Sequence, residues 1–137
     1  MTATARSLEL ARAAAEAAAD RLAGEVLALD VSEQLVITDV FVLASGDSDR
    51  QVRAIVDAVE ERLRSMGAAP VRREGVTEAR WVLLDYADVV VHVQQAEDRR
   101  YYALERLWKD CPVVELPESV TAGAGRTEGG DRTDLGA

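Results

Sequence analysis

The sequence predicts an α/β (α+β) fold in which a single mixed β-sheet is packed with helices. Apolar residues recur at helical spacing in three segments, and five other segments are predicted as short strands, most of them rich in apolar or β-branched residues. Their order is helix, two strands, helix, three strands, helix, which is typical of a sheet covered by helices. The 137 residues, 48% of them hydrophobic, suffice for one domain with its own core.

The first helix is predicted over residues 7–22, where an alanine-rich stretch places its larger apolar residues three and four apart. Ser7 is expected to cap its N-terminus, and Gly24 is expected to end it. The short apolar run of residues 26–31 predicts the first strand. Residues 35–44, rich in Val, Ile, Thr and Phe, predict the second strand.

The segment Ser45-Gly46-Asp47-Ser48 turns the chain from a strand into the second helix. Such an elbow can present backbone amides to a phosphate, but it has one glycine and no following lysine, unlike a phosphate-binding loop. Ser48 and Gln51 instead have the spacing of a capping box. Helix capping is therefore the favoured interpretation of the elbow.

The second helix carries an apolar stripe followed by two helix breakers, Gly67 and Pro70. The stripe consists of Val52, Ile55, Val56, Val59, Leu63 and Met66. On the opposite side, the acid-first spacings Asp49 to Arg53 and Glu60 to Arg64 predict two i,i+4 ion pairs.

Three strands, a helix and a tail are predicted in the second half of the chain. A short strand is expected at residues 71–74, and residues 81–86 and 89–93 form a hairpin around Ala87-Asp88. A third helix is predicted over residues 97–109. The last 21 residues, 117–137, are rich in glycine and contain no aromatic residue. They are expected to form a disordered acidic tail beside a folded domain of residues 1–116.

The hairpin sorts its side chains onto two faces if Tyr86 pairs with Val89. One face is purely apolar and is expected to meet the helices; its residues are Val82, Leu84, Val89, Val91 and Val93. The other face is mixed and holds Trp81, Leu83, Asp85, Val90, His92 and Gln94. Such a composition is typical either of a recognition surface or of a second, partly wet core.

Each candidate on the mixed face has a functional and a structural interpretation. Trp81 suits partner contact, because Trp is frequent in interface hot spots, or simple filling of the core. His92 is more simply a hydrogen-bonded sheet histidine than a catalyst, because the chain has no second histidine. Asp85 and Asp88 could bind a metal, serve turn chemistry or pair with a basic partner.

Composition excludes several classes of protein. The charge of −9 argues against binding to nucleic-acid phosphates, so no DNA partner is expected and basic proteins are preferred. One cysteine, Cys111, and one histidine exclude a disulfide framework and a Cys/His zinc site. Neither a signal peptide nor a membrane span is visible, so a cytoplasmic protein without metal or cofactor is expected.

The chain resembles the ribosomal silencing factors, the RsfS or Iojap-like family, over residues 7–116. The matching segments are Leu29-Asp30-Val31, Ile37-Thr38-Asp39, Phe41-Val42-Leu43-Ala44-Ser45-Gly46 with Ser48, Gln51-Val52-Arg53-Ala54-Ile55, Trp81-Val82-Leu83-Leu84-Asp85-Tyr86-Ala87-Asp88-Val89-Val90-Val91-His92, Arg100, Tyr102-Ala103-Leu104-Glu105 and Leu107-Trp108. The family usually has Gly where this chain has Ala87. Arginine outnumbers lysine 15 to 1, which is typical of a GC-rich bacterium such as an actinobacterium.

The resemblance implies a translation regulator that is not an enzyme. Such a factor binds the large ribosomal subunit through ribosomal protein uL14, blocks joining of the small subunit and slows protein synthesis in starvation. It also implies a nucleotidyltransferase-like sheet without catalytic acids, and a homodimer. The expected partner-binding residues are Trp81, Asp85, Tyr86, Asp88, His92, Arg100 and Tyr102. The alternatives are a nucleotide-binding enzyme or a subunit assembly factor, although Gly46-Asp47-Ser48 lacks the Gly-Ser pair of nucleotidyltransferases.

Overall fold

The computed structural model describes residues 3–102, 106 and 108–120, without the side chains of residues 100–102. Its elements are α1 (Ala5–Asp20), β1 (Gly24–Asp30), β2 (Val40–Gly46), α2 (Asp49–Ser65), β3 (Arg72–Glu74), β4 (Trp81–Asp85), β5 (Val89–Gln95) and α3 (Ala96–Tyr102). Within these ranges, no helix is long and apolar enough to cross a membrane.

The strands form a five-stranded sheet in the order β1-β2-β5-β4-β3. The central pair, β2 and β5, runs parallel, and every other pair runs antiparallel. Alternate residues of the strands pack with α1 and α2 in one continuous core, so both helices cover the same face of the sheet, here called the inner face. The predicted mixed sheet packed with helices is confirmed.

The ends of α1 differ from the prediction. Thr4, not Ser7, caps the N-terminus, because its side chain accepts a hydrogen bond from the Ser7 amide. Ser7 is buried one turn later, and its hydroxyl donates to Asp39 at 2.9 Å. Arg21 caps the C-terminus, Leu22 has a φ of 62°, and Gly24 begins β1 rather than ending the helix.

The second strand begins five residues later than predicted, at Val40. The Val31 amide donates to the Asp39 carbonyl, and this bond closes residues 32–38 into a loop. The chain begins to pair with β5 only at Asp39 and Val40, whose amides both donate to the Asp88 carbonyl just before β5. The strand-favouring residues before Asp39 therefore lie in a turn region without a neighbouring strand.

The predicted capping of α2 is confirmed, and so is one of its two ion pairs. Ser48 is the N-cap and accepts from the Gln51 amide, and Arg53 contacts Asp49 at 2.8 Å. The predicted pair of Glu60 with Arg64 is wrong. Glu60 instead pairs at 2.7 Å with Arg73 of β3, because the sheet brings that guanidinium beside α2.

The hairpin register matches the prediction. The Tyr86 amide donates to the Val89 carbonyl at 2.8 Å, and Asp85 pairs with Val90. The predicted apolar face lies wholly in the core with α1 and α2. Ala87, in the two-residue turn, has a φ of 70°, the left-handed conformation that favours glycine.

Replacing Ala87 with Gly should raise the free energy of unfolding by about 0.5–1 kcal/mol, because glycine adopts positive φ without a steric penalty. Urea denaturation monitored by circular dichroism measures the change. As a control, Ala54→Gly inside α2 should lower the free energy of unfolding by about 1 kcal/mol. Equal or lower stability of Ala87→Gly would show that the turn carries no such strain.

The chain beyond α3 returns to the edge of the sheet. The predicted third helix is seen as α3, and most of the remaining residues to 109 lie outside the described residues. Val113 forms an isolated antiparallel bridge with Leu29 of β1. Val120 is buried in the same core as the apolar residues of α1 and α2. The predicted disordered tail of residues 117–137 is therefore wrong for its first four residues, because residues 118–120 form a helical turn and Val120 joins the core. Residues 121–137 lie outside the described residues, and their disorder stays a prediction.

Candidate functional site

The sheet face opposite α1 and α2, here called the outer face, has a small core of its own. The buried members of this core are Leu29, Val31, Leu43 and Cys111. Partly buried apolar side chains surround them, namely Leu27, Leu35, Phe41, Trp81 and Trp108. The mixed hairpin face therefore forms a second core whose rim still contacts solvent.

Four rings form a chain of contacts across this face, here called the aromatic cluster: Trp81, His92, Phe41 and Trp108. The Trp81 and His92 rings lie 6.2 Å apart between centroids, and His92 meets Phe41 edge-on at 5.0 Å. Phe41 in turn meets Trp108 edge-on at 5.2 Å. Edge-on geometry is favourable because the positive edge of one ring meets the negative face of another.

His92 sits at the centre of the cluster and is only 6% exposed. Its Nδ1 accepts a hydrogen bond from the Trp81 indole Nε1–H at 3.2 Å. Burial, and secondarily the positive charge of Arg99, lower the pKa of His92 to about 4. The ring is therefore neutral at pH 7 with its proton on Nε2. The interpretation as a hydrogen-bonded sheet histidine is confirmed.

Two further polar groups of this face are buried in unusual surroundings. Nε2 of His92 has no hydrogen-bond partner among the described residues. Gln94, two residues along β5, is fully buried, and neither atom of its amide has a partner among those residues. Buried polar groups normally find partners, so beside its apolar core the outer face buries polar atoms that no described residue satisfies.

The two acids at the hairpin turn have different environments. Asp85 is partly buried, its Oδ1 accepts the Ala87 amide at 2.8 Å, and its Oδ2 lies 3.8 Å from Arg72. The Asp88 side chain is exposed. The turn interpretation of Asp85 is confirmed. Among the residues that the structure describes, no group of three or more His, Cys, Asp or Glu could hold a metal ion.

Tyr86 does not share the surface of Trp81 and Asp85. Its side chain points to the inner face, is 8% exposed and packs in the core with α1 and α2. Burial raises the pKa of Tyr86 to about 12, with a smaller contribution from Glu60. The alternation of the hairpin residues assigns Tyr86 to this side, and that signal could have excluded it from the mixed face.

The structure thus brings Trp81 and His92 into direct contact and places Asp85 on the same face. The predicted partner-binding side chains of Arg100 and Tyr102 lie outside the described residues. The prediction missed Phe41, which reaches the cluster because β2 runs parallel to β5 and pairs Phe41 with Val90.

The chain matches the family model described as "Ribosomal silencing factor during starvation" over residues 4–134. This chain belongs to the ribosomal silencing factor family. The silencing factor of Bacillus subtilis is 43% identical over 103 residues, covering 75% of this chain and 87% of that protein. The silencing factor of Halalkalibacterium halodurans is 43% identical over 108 residues, covering 79% and 92%.

Solved structures with the same fold support the membership. A crystal structure from Chromobacterium violaceum superposes with a TM-score of 0.71 at 38% identity, covering 74% of this chain and 84% of that one. Another, from Bacillus halodurans, gives a TM-score of 0.69 at 41% identity, covering 79% and 98%. The comparisons leave the GC-rich origin as a prediction.

In this silencing-factor chain, the elbow before α2 is occupied by its own hydrogen bonds. The Asp47 amide donates to Oε1 of Gln51 at 2.7 Å, and the Gln51 amide donates to Ser48. Nε2 of Gln51 also donates to the carbonyls of Arg21 and Leu22. These contacts support the capping interpretation, because two of the amides that would hold a phosphate already have acceptors.

Proposed function

We propose that this chain binds the large ribosomal subunit through ribosomal protein uL14 and thereby blocks joining of the small subunit. It represses translation when nutrients are short, and it does so as a binding protein rather than as an enzyme. Membership of the silencing-factor family supports a ribosome-associated role.

The observation that carries the proposal is the partly exposed aromatic rim of the outer face. Trp81, Phe41 and Trp108 are each partly exposed around a buried core, an arrangement that suits a docking surface with an apolar centre. Asp85 and the exposed Asp88 lie at the end of β4 and in the turn that follows. These two acids, in a chain whose net charge is −9, suit contact with a basic ribosomal protein.

A joining experiment tests the function directly. Isolated large subunits are mixed with the full chain, small subunits are added, and sedimentation in a sucrose gradient separates free subunits from whole ribosomes. We expect the chain to sediment with the large subunit and whole ribosomes to be reduced. Binding without a block to joining would favour a subunit assembly factor. Absence of binding, with calorimetric binding of Mg²⁺ and ATP, would favour the nucleotide-binding alternative.

The charge of the hairpin end should affect binding to the basic partner. Asp85 supports the turn through the Ala87 amide, so it is replaced by Asn, which keeps the acceptor oxygen, while the exposed Asp88 is replaced by Lys. Asp85→Asn/Asp88→Lys should weaken binding to large subunits about 3- to 10-fold, mainly by slowing association. The difference should shrink in high salt, because salt screens exposed charges.

The matched control for this variant carries the same change of charge on the other side of the molecule. Asp57 and Glu61 are exposed on α2, which covers the inner face. Asp57→Asn/Glu61→Lys should bind large subunits like the unaltered chain. Equal weakening of both variants would mean that only the overall charge matters, and no weakening of either would place the contact surface elsewhere.

We further propose that the chain acts in the cytoplasm, as a ribosome-associated role suggests, and that it forms a homodimer. Partly exposed aromatic side chains on the outer face supply apolar area of the kind that symmetric dimers bury. Analytical ultracentrifugation of the full chain, with and without large subunits, tests the homodimer. A monomer at all concentrations would refute it.

A further inference from the structure

The indole of Trp81 is held by a neighbour that cannot itself reach a partner. Trp81 lies on β4 opposite Gln94, and its Nε1–H donates to Nδ1 of His92 on the adjacent strand at 3.2 Å. His92 is 6% exposed, whereas Trp81 is partly exposed. One member of the pair can therefore touch a docking protein, while the other lies beneath the surface.

The surroundings of His92 fix its ring on more than one side. Phe41 of β2 packs edge-on against it at 5.0 Å, and Trp81 of β4 contacts it from the other neighbouring strand. β5, which carries His92, is the strand between β2 and β4 in the sheet. A ring set in the middle of the sheet is a rigid acceptor, so the indole that donates to it is restrained as well.

A restrained indole matters for recognition. A partly exposed side chain loses rotational freedom when a partner immobilises it, and this loss of conformational entropy opposes binding. If the free protein already holds the side chain in its bound orientation, that cost is avoided. Nδ1 of His92 has the chemistry to do this, because a neutral imidazole presents one acceptor nitrogen and the indole presents one donor.

We propose that His92 is a positioning residue that orients Trp81 for docking on the ribosomal partner. This inference rests on the proposed function and assigns different roles to the two residues. Trp81 makes the contact, and His92 acts only through Trp81.

The experiment is a double-mutant cycle in the full chain, with the dissociation constant for isolated large subunits as the readout. His92→Phe keeps a ring beside Phe41 but removes the acceptor, and Trp81→Phe keeps an aromatic contact but removes the donor. We expect His92→Phe to weaken binding about 5-fold, the factor for one hydrogen bond worth about 1 kcal/mol. In the Trp81→Phe background, His92→Phe should cause no further loss.

A rescue variant separates positioning from a merely structural role. His92→Asn retains an oxygen close to the place of Nδ1, so it should bind more tightly than His92→Phe even though it removes part of the ring. Urea denaturation of each variant shows how far its folding is altered. If affinity follows stability across the variants instead of following the presence of an acceptor, the positioning role is wrong.

The outcomes distinguish the inference from the function beneath it. Failure of the unaltered chain to bind large subunits overturns the proposed function and the inference together. Tight binding by the unaltered chain, with His92→Phe equally tight, overturns the inference alone. Losses that multiply in the double variant overturn it too, because they would show that His92 contributes independently of Trp81.

Discussion

Trp81→Ala should weaken binding to the large ribosomal subunit by about 30-fold or more. Truncating an aromatic hot spot at the centre of an interface typically costs more than about 2 kcal/mol, and Trp is among the residues most often found there. Trp81 sits at the partly exposed rim of the outer face, next to its buried core. Titration of labelled chain with isolated large subunits measures the loss, and the joining experiment should show whole ribosomes restored.

The loss of affinity in Trp81→Ala can be assigned to a lost contact only if the variant still folds. The inner core with α1 and α2 does not include Trp81, so circular dichroism should show unchanged helix content. The control is Leu22→Ala, which truncates a 61% exposed apolar side chain in the turn between α1 and β1. Leu22→Ala should bind normally. If Trp81→Ala binds within about 3-fold of the unaltered chain, the aromatic rim is no hot spot.

Local patterns predicted the elements that depend on near neighbours in sequence. The hairpin faces follow from alternation alone, and the α2 cap follows from the spacing of Ser48 and Gln51. Elements that depend on distant partners were misplaced. Ser7 is predicted as the N-cap of α1, but its hydroxyl donates a hydrogen bond to the carboxylate of Asp39, which lies 32 residues away in sequence. The start of β2 likewise depends on the Asp88 carbonyl of the hairpin turn.

The candidate site shows the same division. Trp81 and His92 were predicted on one face, because both belong to the hairpin and share its alternation. Phe41 belongs to β2, and its contact with His92 requires knowledge that β2 pairs in parallel with β5. Single-sequence alternation assigns a residue to a face but does not choose between neighbouring strands. The sequence could therefore predict the contact between Trp81 and His92, but not the part of the aromatic cluster that Phe41 contributes.

Acid should destabilise this protein well above the pH at which its carboxylates titrate. The pKa of His92 is about 4 in the folded chain, because burial and Arg99 disfavour the charged ring, against an ordinary value of 6.5. Between these values the unfolded chain takes up a proton that the folded chain excludes. The free energy of unfolding should therefore fall by about 3 kcal/mol from pH 7 to pH 4, since each pKa unit is worth about 1.4 kcal/mol.

Urea denaturation at intervals between pH 7 and pH 4 measures this decline, and His92→Phe isolates its cause. The variant has no imidazole to protonate, so its stability should change less over pH 6.5–4.5 than that of the unaltered chain. The folded chain takes up this proton only near the His92 pKa of about 4, which would also remove the Nδ1 acceptor of the Trp81 indole, so subunit binding should weaken only close to pH 4. Parallel pH profiles for the two chains would show that His92 is not held neutral by the fold.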